Sequence, residues 1–215
     1  LNLSGAISVA DSAPPLPFSL SGTTMTIFGA PVPLFFVSPG QINFQVPWIL
    51  SNGPVQAPLI ITVGQLSQTI TVTVAPFAPG LFTTNSQGSG QASALIAGTA
   101  IIPAPAGTFP NSRPTTKGEF ISLFCTGLGN VSHRPGAGSP SPSNPSGLAL
   151  TLTPPTVTIG NVPATNIPFS GLAPGFVGLY QVNVQIPDTT PTGDAVPVVL
   201  SIGGIKSNTA TIAVQ

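Results

Sequence analysis

A seven-residue pattern of alternating amide and apolar side chains occurs twice in this chain, 140 positions apart (41 to 181). Residues 41–47 read QINFQVP and residues 181–187 read QVNVQIP, so Gln, Asn, Gln and Pro recur with an apolar residue between them. This alternation is typical of a β-strand with one polar and one apolar face. The flanks also agree, because 71–74 (TVTV) resembles 211–214 (TIAV). Two unlike copies predict a tandem pair of related domains and not a solenoid.

The residue types elsewhere in the chain favour strands over helices. The 215 residues include 27 Pro and 24 Gly, whereas Lys and Arg together number 4 and Met 1. Frequent Pro and Gly interrupt helices and separate short strands. The predicted strands are 24–28, 33–37, 41–46, 59–63, 67–74, 91–102 and 119–126. The sequence therefore predicts an all-β fold of two tandem immunoglobulin-like (Ig-like) β-sandwich domains related by internal duplication, with an N-terminal strand arm.

Proline-rich segments mark the expected domain boundaries. The arm and a Pro-rich hinge occupy 1–17, the first sandwich 18–79 and the second sandwich 80–215. The joint between the sandwiches is the sequence APFAPG at 75–80, where two prolines restrict the backbone. A Ser- and Pro-rich stretch at 139–147 is expected to be an exposed loop.

Charge is scarce throughout the chain. Lys plus Arg number 4, Asp plus Glu number 4, and the net charge is zero. A chain without net charge has no long-range field to attract nucleic acid or an anionic membrane, so we expect neither partner. No apolar run reaches the roughly 18 residues of a membrane span. The chain begins at Leu1 without Met or a basic, apolar leader, so we expect a processed N-terminus or a longer precursor.

Several motifs resemble a known family. They are PGQ at 39–41, APGLF at 78–82, CTGLG at 125–129 and GLAPGFVGLYQVN at 171–183. Together they resemble the C-terminal domain family first described in Solibacter and related acidobacteria, over nearly the whole chain from about residue 16. The resemblance implies a secreted, extracellular or cell-surface, all-β module at the C-terminus of exported proteins. It supplies no cofactor and no catalytic residue, and the arm lies outside it.

The only cysteine and the only histidine, Cys125 and His133, are the strongest candidates for nucleophilic catalysis. However, Ile121, Leu123 and Cys125 share one face of a predicted strand, and a buried cysteine behaves as a small apolar residue. His133 follows a glycine-rich turn in a polar segment. We therefore expect a core cysteine and no enzymatic activity.

Carboxylates are too few and too dispersed to suggest hydrolysis or a metal centre. Of Asp11, Glu119, Asp188 and Asp194, only the last two lie near each other in the sequence. They flank the turn sequence TTPTG, which fits a solvated turn, and a weak calcium site there is the alternative. One Cys and one His are too few for a zinc site. No cofactor is expected.

The repeated amides allow two interpretations. Gln41, Asn43 and Gln45 share one strand face, where they either hydrogen-bond loop backbone and neighbouring strands or form a row that binds sugar. Sugar sites usually include an aromatic platform, and Trp48 and Tyr180 are the candidate glycan contacts.

Glycosylation is a further expectation for a weakly charged secreted surface. The sequons NLS and NVS place candidate N-linked sites at Asn2 and Asn130. The Ser- and Pro-rich stretch suits O-linked sugar, with Ser141 and Ser143 as candidate acceptors.

The N-terminal arm suggests self-association. Leu1, Leu3, Ile7 and Val9 form the apolar face of a detached strand, which is marginal alone and has to bury that face. It can pair within its own domain or be donated to a neighbouring subunit, and head-to-tail donation produces a filament. The sequence thus suggests a structural subunit of an extracellular assembly built by donor-strand exchange. A secreted adhesion or carbohydrate-binding module is the alternative.

Overall fold

The computed structural model describes residues 8–9, 14–48 and 53–215. The chain divides into two compact units. The first unit comprises the chain up to Pro76 together with His133–Leu148 and Pro174–Gly178. The second unit comprises Phe77–Ser132, Ala149–Ala173 and Leu179–Gln215. No helix in the described part of the chain has both the length and the apolar character of a membrane span.

The first unit is a sandwich of two antiparallel sheets. Its strands are β1 (Ser8–Val9), β2 (Ser19–Leu20), β3 (Thr23–Ile27), β4 (Ala30–Pro31), β5 (Leu34–Ser38), β6 (Gln41–Phe44), β7 (Val55–Val63) and β8 (Leu66–Val74). The larger sheet has the order β2-β3-β7-β8, with β4 also paired to β3, and the smaller sheet has the order β1-β5-β6. Apolar side chains that alternate along β3 and β7, including Met25, Ile27 and Leu59, fill the core. Leu34 and Val37 of β5 join them, three positions apart because β5 contains a bulge.

The second unit has a larger sandwich. Its strands are β9 (Gly80–Leu81), β10 (Ala94–Ile96), β11 (Ile102–Pro103), β12 (Ser112–Arg113), β13 (Phe120–Thr126), β14 (Thr156–Ile159), β15 (Val162–Ala164), β16 (Phe169–Leu172), β17 (Tyr180–Gln185), β18 (Gly193–Ile202), β19 (Ile205–Lys206) and β20 (Ala210–Val214). One sheet runs β10-β13-β17-β16 with β9 on β13, and the other runs β15-β14-β18-β19 with β20 on β18. A parallel β11–β12 pair is separate. As predicted, Ile121, Leu123 and Cys125 share the buried face of β13.

The two units repeat one series of three hairpins. These are β3–β4, β5–β6 and β7–β8 in the first unit and β14–β15, β16–β17 and β18–β19 in the second. The first hairpin of each series turns through two residues with positive φ, Phe28-Gly29 and Gly160-Asn161, which suits the right-handed twist of the strands. The fold is therefore all-β, with two tandem Ig-like sandwiches related by internal duplication. The second copy adds β9, β10 and β13.

One predicted strand is wrong. The segment 91–102 contains two short strands, β10 and the start of β11, because the chain turns at Gly98, whose φ is +74°. The alternation of apolar residues in this segment matched a strand, but sequence periodicity does not register a turn of this length.

Two segments from the second half of the sequence complete the first unit. Gly138, in the first of them, accepts a hydrogen bond from Leu16 N (2.8 Å) and donates one from its own N to Gln45 Oε1 (2.7 Å). Val177, in the second, packs against Leu16. The sequence boundaries at 18–79 and 80–215 differ from this division in that 133–148 and 174–178 belong to the first unit. They also differ in placing Leu16 in a hinge, whereas its side chain is buried.

Candidate functional site

Cys125 is a core residue, which confirms that prediction. Its side chain is fully buried, and burial raises the pKa of the thiol to about 12, so it remains protonated at neutral pH. His133 is exposed and belongs to the first unit, where its Nδ1 lies 3.1 Å from Leu148 O. Neither environment activates a nucleophile.

In the described structure, one salt bridge joins Arg113 and Glu119, and both carboxylate oxygens of Glu119 accept hydrogen bonds. Arg113 donates to both carboxylate oxygens, at 2.7 and 3.0 Å, and Thr115 Oγ1 and Thr116 N also donate to Oε2. The hydrogen bond from Arg113 is the main cause that lowers the pKa of Glu119 to about 2, against the opposing effect of burial. Glu119 borders a surface cleft of about 490 Å³, but a carboxylate held in this way is a poor general acid.

The two neighbouring carboxylates, Asp188 and Asp194, are both exposed. No group of three or more His, Cys, Asp or Glu side chains within the described ranges is arranged to hold a metal ion. The turn between them places the hydroxyl of Thr190 in a buried position.

The amides of the first repeat bond along the strand and to loop backbone. Gln41 Nε2 donates to Asn43 Oδ1 (2.7 Å), and buried Gln45 accepts from Gly138 N. These bonds match the first of the two interpretations of the amides.

The amides of the second repeat bond in the same way and also across strands. Gln181 Nε2 donates to Asn183 Oδ1 (2.8 Å), and Ser122 Oγ on β13 donates to the same oxygen (2.9 Å). Gln185 Nε2 donates to Gly118 O (2.9 Å). In both copies the final Gln therefore fixes a loop, and the amide row is largely used within the protein.

Trp48 is half-buried and held by the segment that follows His133. Its Nε1 donates to Pro135 O (3.1 Å), and the Arg134 guanidinium lies 5.5 Å from the ring centroid. This is a cation–π arrangement. One face of the indole is thus occupied by Arg134, and Trp48 as a glycan contact stays a prediction.

Tyr180 does not have the exposure that a glycan contact needs. Only 6% of its surface is exposed, and its hydroxyl donates to the Gly129 carbonyl in the second unit. A buried ring presents no face to a sugar, so this candidate was wrong. The residue is a structural tyrosine, whose hydroxyl finds a partner inside the fold.

The glycosylation candidates have unequal access to solvent. Asn2 lies outside the described residues, Asn130 is half-buried and Ser143 is exposed, so these three remain predictions. Ser141 is only 3% exposed, and its Oγ is enclosed without a hydrogen-bond partner in the described structure. An enzyme that attaches sugar cannot reach this hydroxyl, so Ser141 as an acceptor was wrong.

The donor-strand candidates fall mostly outside the described residues. Leu1, Leu3 and Ile7 lie there, whereas the backbone of Val9 is described within β1. β1 pairs antiparallel with β5 of the same chain, with Ser8 opposite Val37 and Val9 opposite Phe36. The described strand of the arm, β1, therefore lies on the edge of the smaller sheet of its own unit.

Sequence reasoning overlooked the exposed edge of β8. This strand has nine residues, pairs with β7 along its whole length and has no second strand partner in the described structure. The available signal was its sequence, LSQTITVTV, which contains no charged residue and no Pro. Exposed edge strands usually carry charged residues or Pro, which prevent pairing with another strand.

Comparison with known proteins does not assign a family. No family model matches the chain, and no curated protein matches it. The crystal structure of the I9–I11 tandem from titin is similar at 12% identity and a TM-score of 0.27, over 99% of this chain and 60% of the titin chain. A likeness at this TM-score carries no argument, so the fold rests on the strand pairing and the cores. The resemblance to the Solibacter-type family stays a prediction.

Proposed function

We propose that the protein is a structural subunit of an extracellular surface assembly, in which subunits are joined by exchange of the N-terminal strand. The observation that supports this is the position of β1 on the outer edge of β5. A strand at this position contributes backbone hydrogen bonds that an identical strand from another subunit reproduces without change.

The edge of β5, which would accept the donated strand, is held in place by the core of the first unit. Leu34 and Val37 on β5 are fully buried in the core of the first unit. The donated strand adds to an edge whose neighbours are already packed, so little reorganisation of the acceptor is needed. Because each subunit gives one arm and receives one, head-to-tail exchange does not close and yields a filament.

The test is a disulfide that forms only between chains. Val9 and Phe36 are directly opposite in the antiparallel pair, a geometry that brings Cβ atoms within disulfide reach. Val9→Cys protein mixed with Phe36→Cys protein is expected to form a crosslinked pair under mild oxidation. Ser8→Cys mixed with Phe36→Cys is the control, because the register places Ser8 opposite Val37 and not opposite Phe36.

The wild-type protein provides the second part of this test. Electron microscopy is expected to show filaments that disappear when residues 1–10 are removed. A third protein carries both Val9→Cys and Phe36→Cys. If a crosslink forms only within this protein and not in the mixture, and if assembly is unchanged after removal of the arm, the proposal is overturned.

The alternative is an adhesion or carbohydrate-binding module. The observation that favours it is the partly exposed indole of Trp48 beside Arg134, since aromatic rings with adjacent polar groups suit sugar rings. Binding to insoluble polysaccharide that is lost in Trp48→Ala and kept in Phe28→Ala, another exposed aromatic residue, would support this function. Equal retention of both variants would contradict it.

A further inference from the structure

The outer edge of β8 presents a row of unbonded backbone groups. Phe28 N donates to Pro58 O (3.2 Å), so the even residues of β7 face β3 and its odd residues face β8. Odd residues of β7 lie opposite even residues of β8, as Leu59 does opposite Ile70. The N–H and C=O groups of Ser67, Thr69, Thr71 and Thr73 therefore point away from β7, because direction alternates along a strand.

The second unit bonds the groups that correspond to these. Thr71-Val72-Thr73-Val74 matches Thr211-Ile212-Ala213-Val214 in the duplication. Thr211 N donates to Gly90 O and Thr211 O accepts from Ala92 N, both at 2.8 Å. Ala213 O likewise accepts from Thr115 N (2.9 Å). The described part of the first unit has no such segment beside β8.

Burial follows the same contrast. Ile212 and Val214 on β20 are 0% and 3% exposed, whereas their counterparts Val72 and Val74 on β8 are half-buried. Leu66 and Ile70, farther along β8, are 65% and 43% exposed. In the described part of the first unit, the smaller sheet has three strands and no counterparts of β9, β10 and β13. β8 is consequently exposed at its edge and at the end of its apolar face that carries Leu66 and Ile70.

Devices that usually protect an edge are missing from β8. The sequence has no Asp, Glu, Lys or Arg from residue 12 to residue 112, and the β7–β8 register contains no bulge. In the second unit, Lys206 lies on β19, and the strand is interrupted before β20. Long, uncharged, regular edges readily pair with another strand.

We propose that β8 pairs antiparallel with β8 of a second copy of this chain, across a two-fold axis at Ile70. In this register Ile70 faces its own counterpart, Thr69 faces Thr71, and Ser67 faces Thr73. The four outward-facing residues of each strand form about eight hydrogen bonds across the interface. The two larger sheets become one continuous sheet.

The sequence of β8 argues for a second copy as the occupant. Reversal about Ile70 places hydroxyl residues opposite each other on the polar face. On the other face it places Leu66 opposite Val74 and Gln68 opposite Val72. The polar face, and the contacts of Ile70 and Leu66 on the other face, are therefore self-complementary, as an isologous two-fold contact requires. The uncharged surroundings also remove the like-charge repulsion that would keep two copies apart.

The contact is expected to be weak in isolation, because one strand edge is small compared with a standard interface. It does not involve the arm, and it goes beyond the proposed strand exchange. In a filament joined by arms, it would link subunits laterally, and many weak contacts would act together.

Charge exchange at the facing positions tests the register. Protein with Thr69→Lys and Thr71→Lys, and protein with Thr69→Glu and Thr71→Glu, are each expected to dimerise about tenfold or more weakly than wild type, because like charges meet. The equimolar mixture is expected to recover dimers, since each Lys then faces a Glu. All samples lack residues 1–10, so arm exchange does not contribute, and sedimentation equilibrium measures association.

A matched control places the same charges on the same sheet face but away from the edge. Thr24→Lys with Thr26→Lys alters two residues of β3, which β7 separates from β8, and is expected to dimerise like wild type. Amide hydrogen exchange of the arm-less wild-type chain needs no β8 substitution. The amides of Ser67, Thr69, Thr71 and Thr73 should become more protected as concentration rises, while their even-numbered neighbours do not change.

A chain that stays monomeric at high concentration, without added amide protection, would overturn the proposal. So would equal dimerisation of the two charged β8 variants and wild type. If removal of the arm abolishes filaments while β8 still pairs, both proposals are supported and the two contacts form independently.

Discussion

The two copies of the repeated motif have the same sequence pattern and different surroundings. Among the described strands, β6 carries the first copy at the edge of its sheet and is bonded to β5 alone, and its Ile42 is half-buried. β17 carries the second copy between β13 and β16, and its Val182 is fully buried. The motif determines which side chains face the core, whereas neighbouring strands determine how deeply those side chains are buried. The additional strands of the second unit therefore account for its more complete core.

The largest expected effect concerns the glycine that ends β13. Gly127 has φ +74°, and a Cβ there would lie 1.9 Å from Ala78 O and 2.4 Å from Ala78 C. Gly127→Ala is expected to destabilise the second unit by about 3 kcal/mol or more, because backbone has to move in addition to the cost of the positive φ. Gly98→Ala is the control, with the same φ and open space. It should lose only about 1 kcal/mol.

Tyr180 absorbance during urea unfolding measures the second unit, and Trp48 fluorescence measures the first. If the two alanine variants unfold at the same urea concentration, the close approach of Gly127 to Ala78 does not contribute to the free energy of unfolding.

A matched pair in the repeat tests the edge-and-centre comparison directly. Val182→Ala is expected to cost the second unit about 2 kcal/mol, because the cavity forms in a closed core. Ile42→Ala removes more carbon yet is expected to cost the first unit only about 1 kcal/mol, because its site is partly open to water. Urea unfolding with the same two probes measures both values, and a larger loss for Ile42→Ala would break the comparison.

Low pH is expected to destabilise the second unit more than the first, because Glu119 lies in the second unit. The folded pKa of Glu119, about 2, lies below its ordinary value of 4.5, so its stabilisation is present above about pH 4.5 and is lost as pH falls towards 2. After allowance for solvent screening, we expect the second unit to lose about 1–2 kcal/mol over this interval. Glu119→Gln should remove most of that dependence. Urea unfolding at several pH values measures it, and an equal loss in the variant would contradict the assignment.

The smallest effect is expected at Trp48. Arg134→Ala removes the cation from the indole face and should destabilise the first unit by about 0.5–1 kcal/mol. Lys117→Ala, which removes an exposed cation from the second unit, is the control and should leave the Trp48 transition unchanged. An unchanged transition in both variants would mean that the ring and the guanidinium contribute no measurable stability.

Sequence periodicity was sufficient where a strand keeps one apolar face. It predicted β13, with Cys125 in the core, and both strands of the repeat, because a period of two assigns alternate residues to one side. It could not predict the turn at Gly98, which depends on a local φ. It also could not distinguish β6 from β17, because strand partners are distant in the sequence.

The candidate site shows the same limit at the level of single side chains. Composition identified Tyr180 as an aromatic platform, but the ring is buried and its hydroxyl bonds to the carbonyl of Gly129, 51 residues away. Ser141 was placed in an exposed loop by its Ser- and Pro-rich surroundings, whereas two backbone hydrogen bonds, with Phe176 O and Gly175 N, hold its segment inside the first unit.

The assembly of the first unit from three chain segments affects how the protein is made. Chains are synthesised from the N-terminus, and domains generally fold as they become complete. Here the small cluster of Leu16 and Val177 is complete only when Val177 has been synthesised, although Leu20 and Phe35 also pack against it. Gln45 has its backbone donor only after Gly138 has been synthesised. The first strands of this unit are thus synthesised well before the segments that complete it. A nascent chain truncated before residue 133 would carry an unfinished first sandwich, which makes it the stage most exposed to proteases and chaperones.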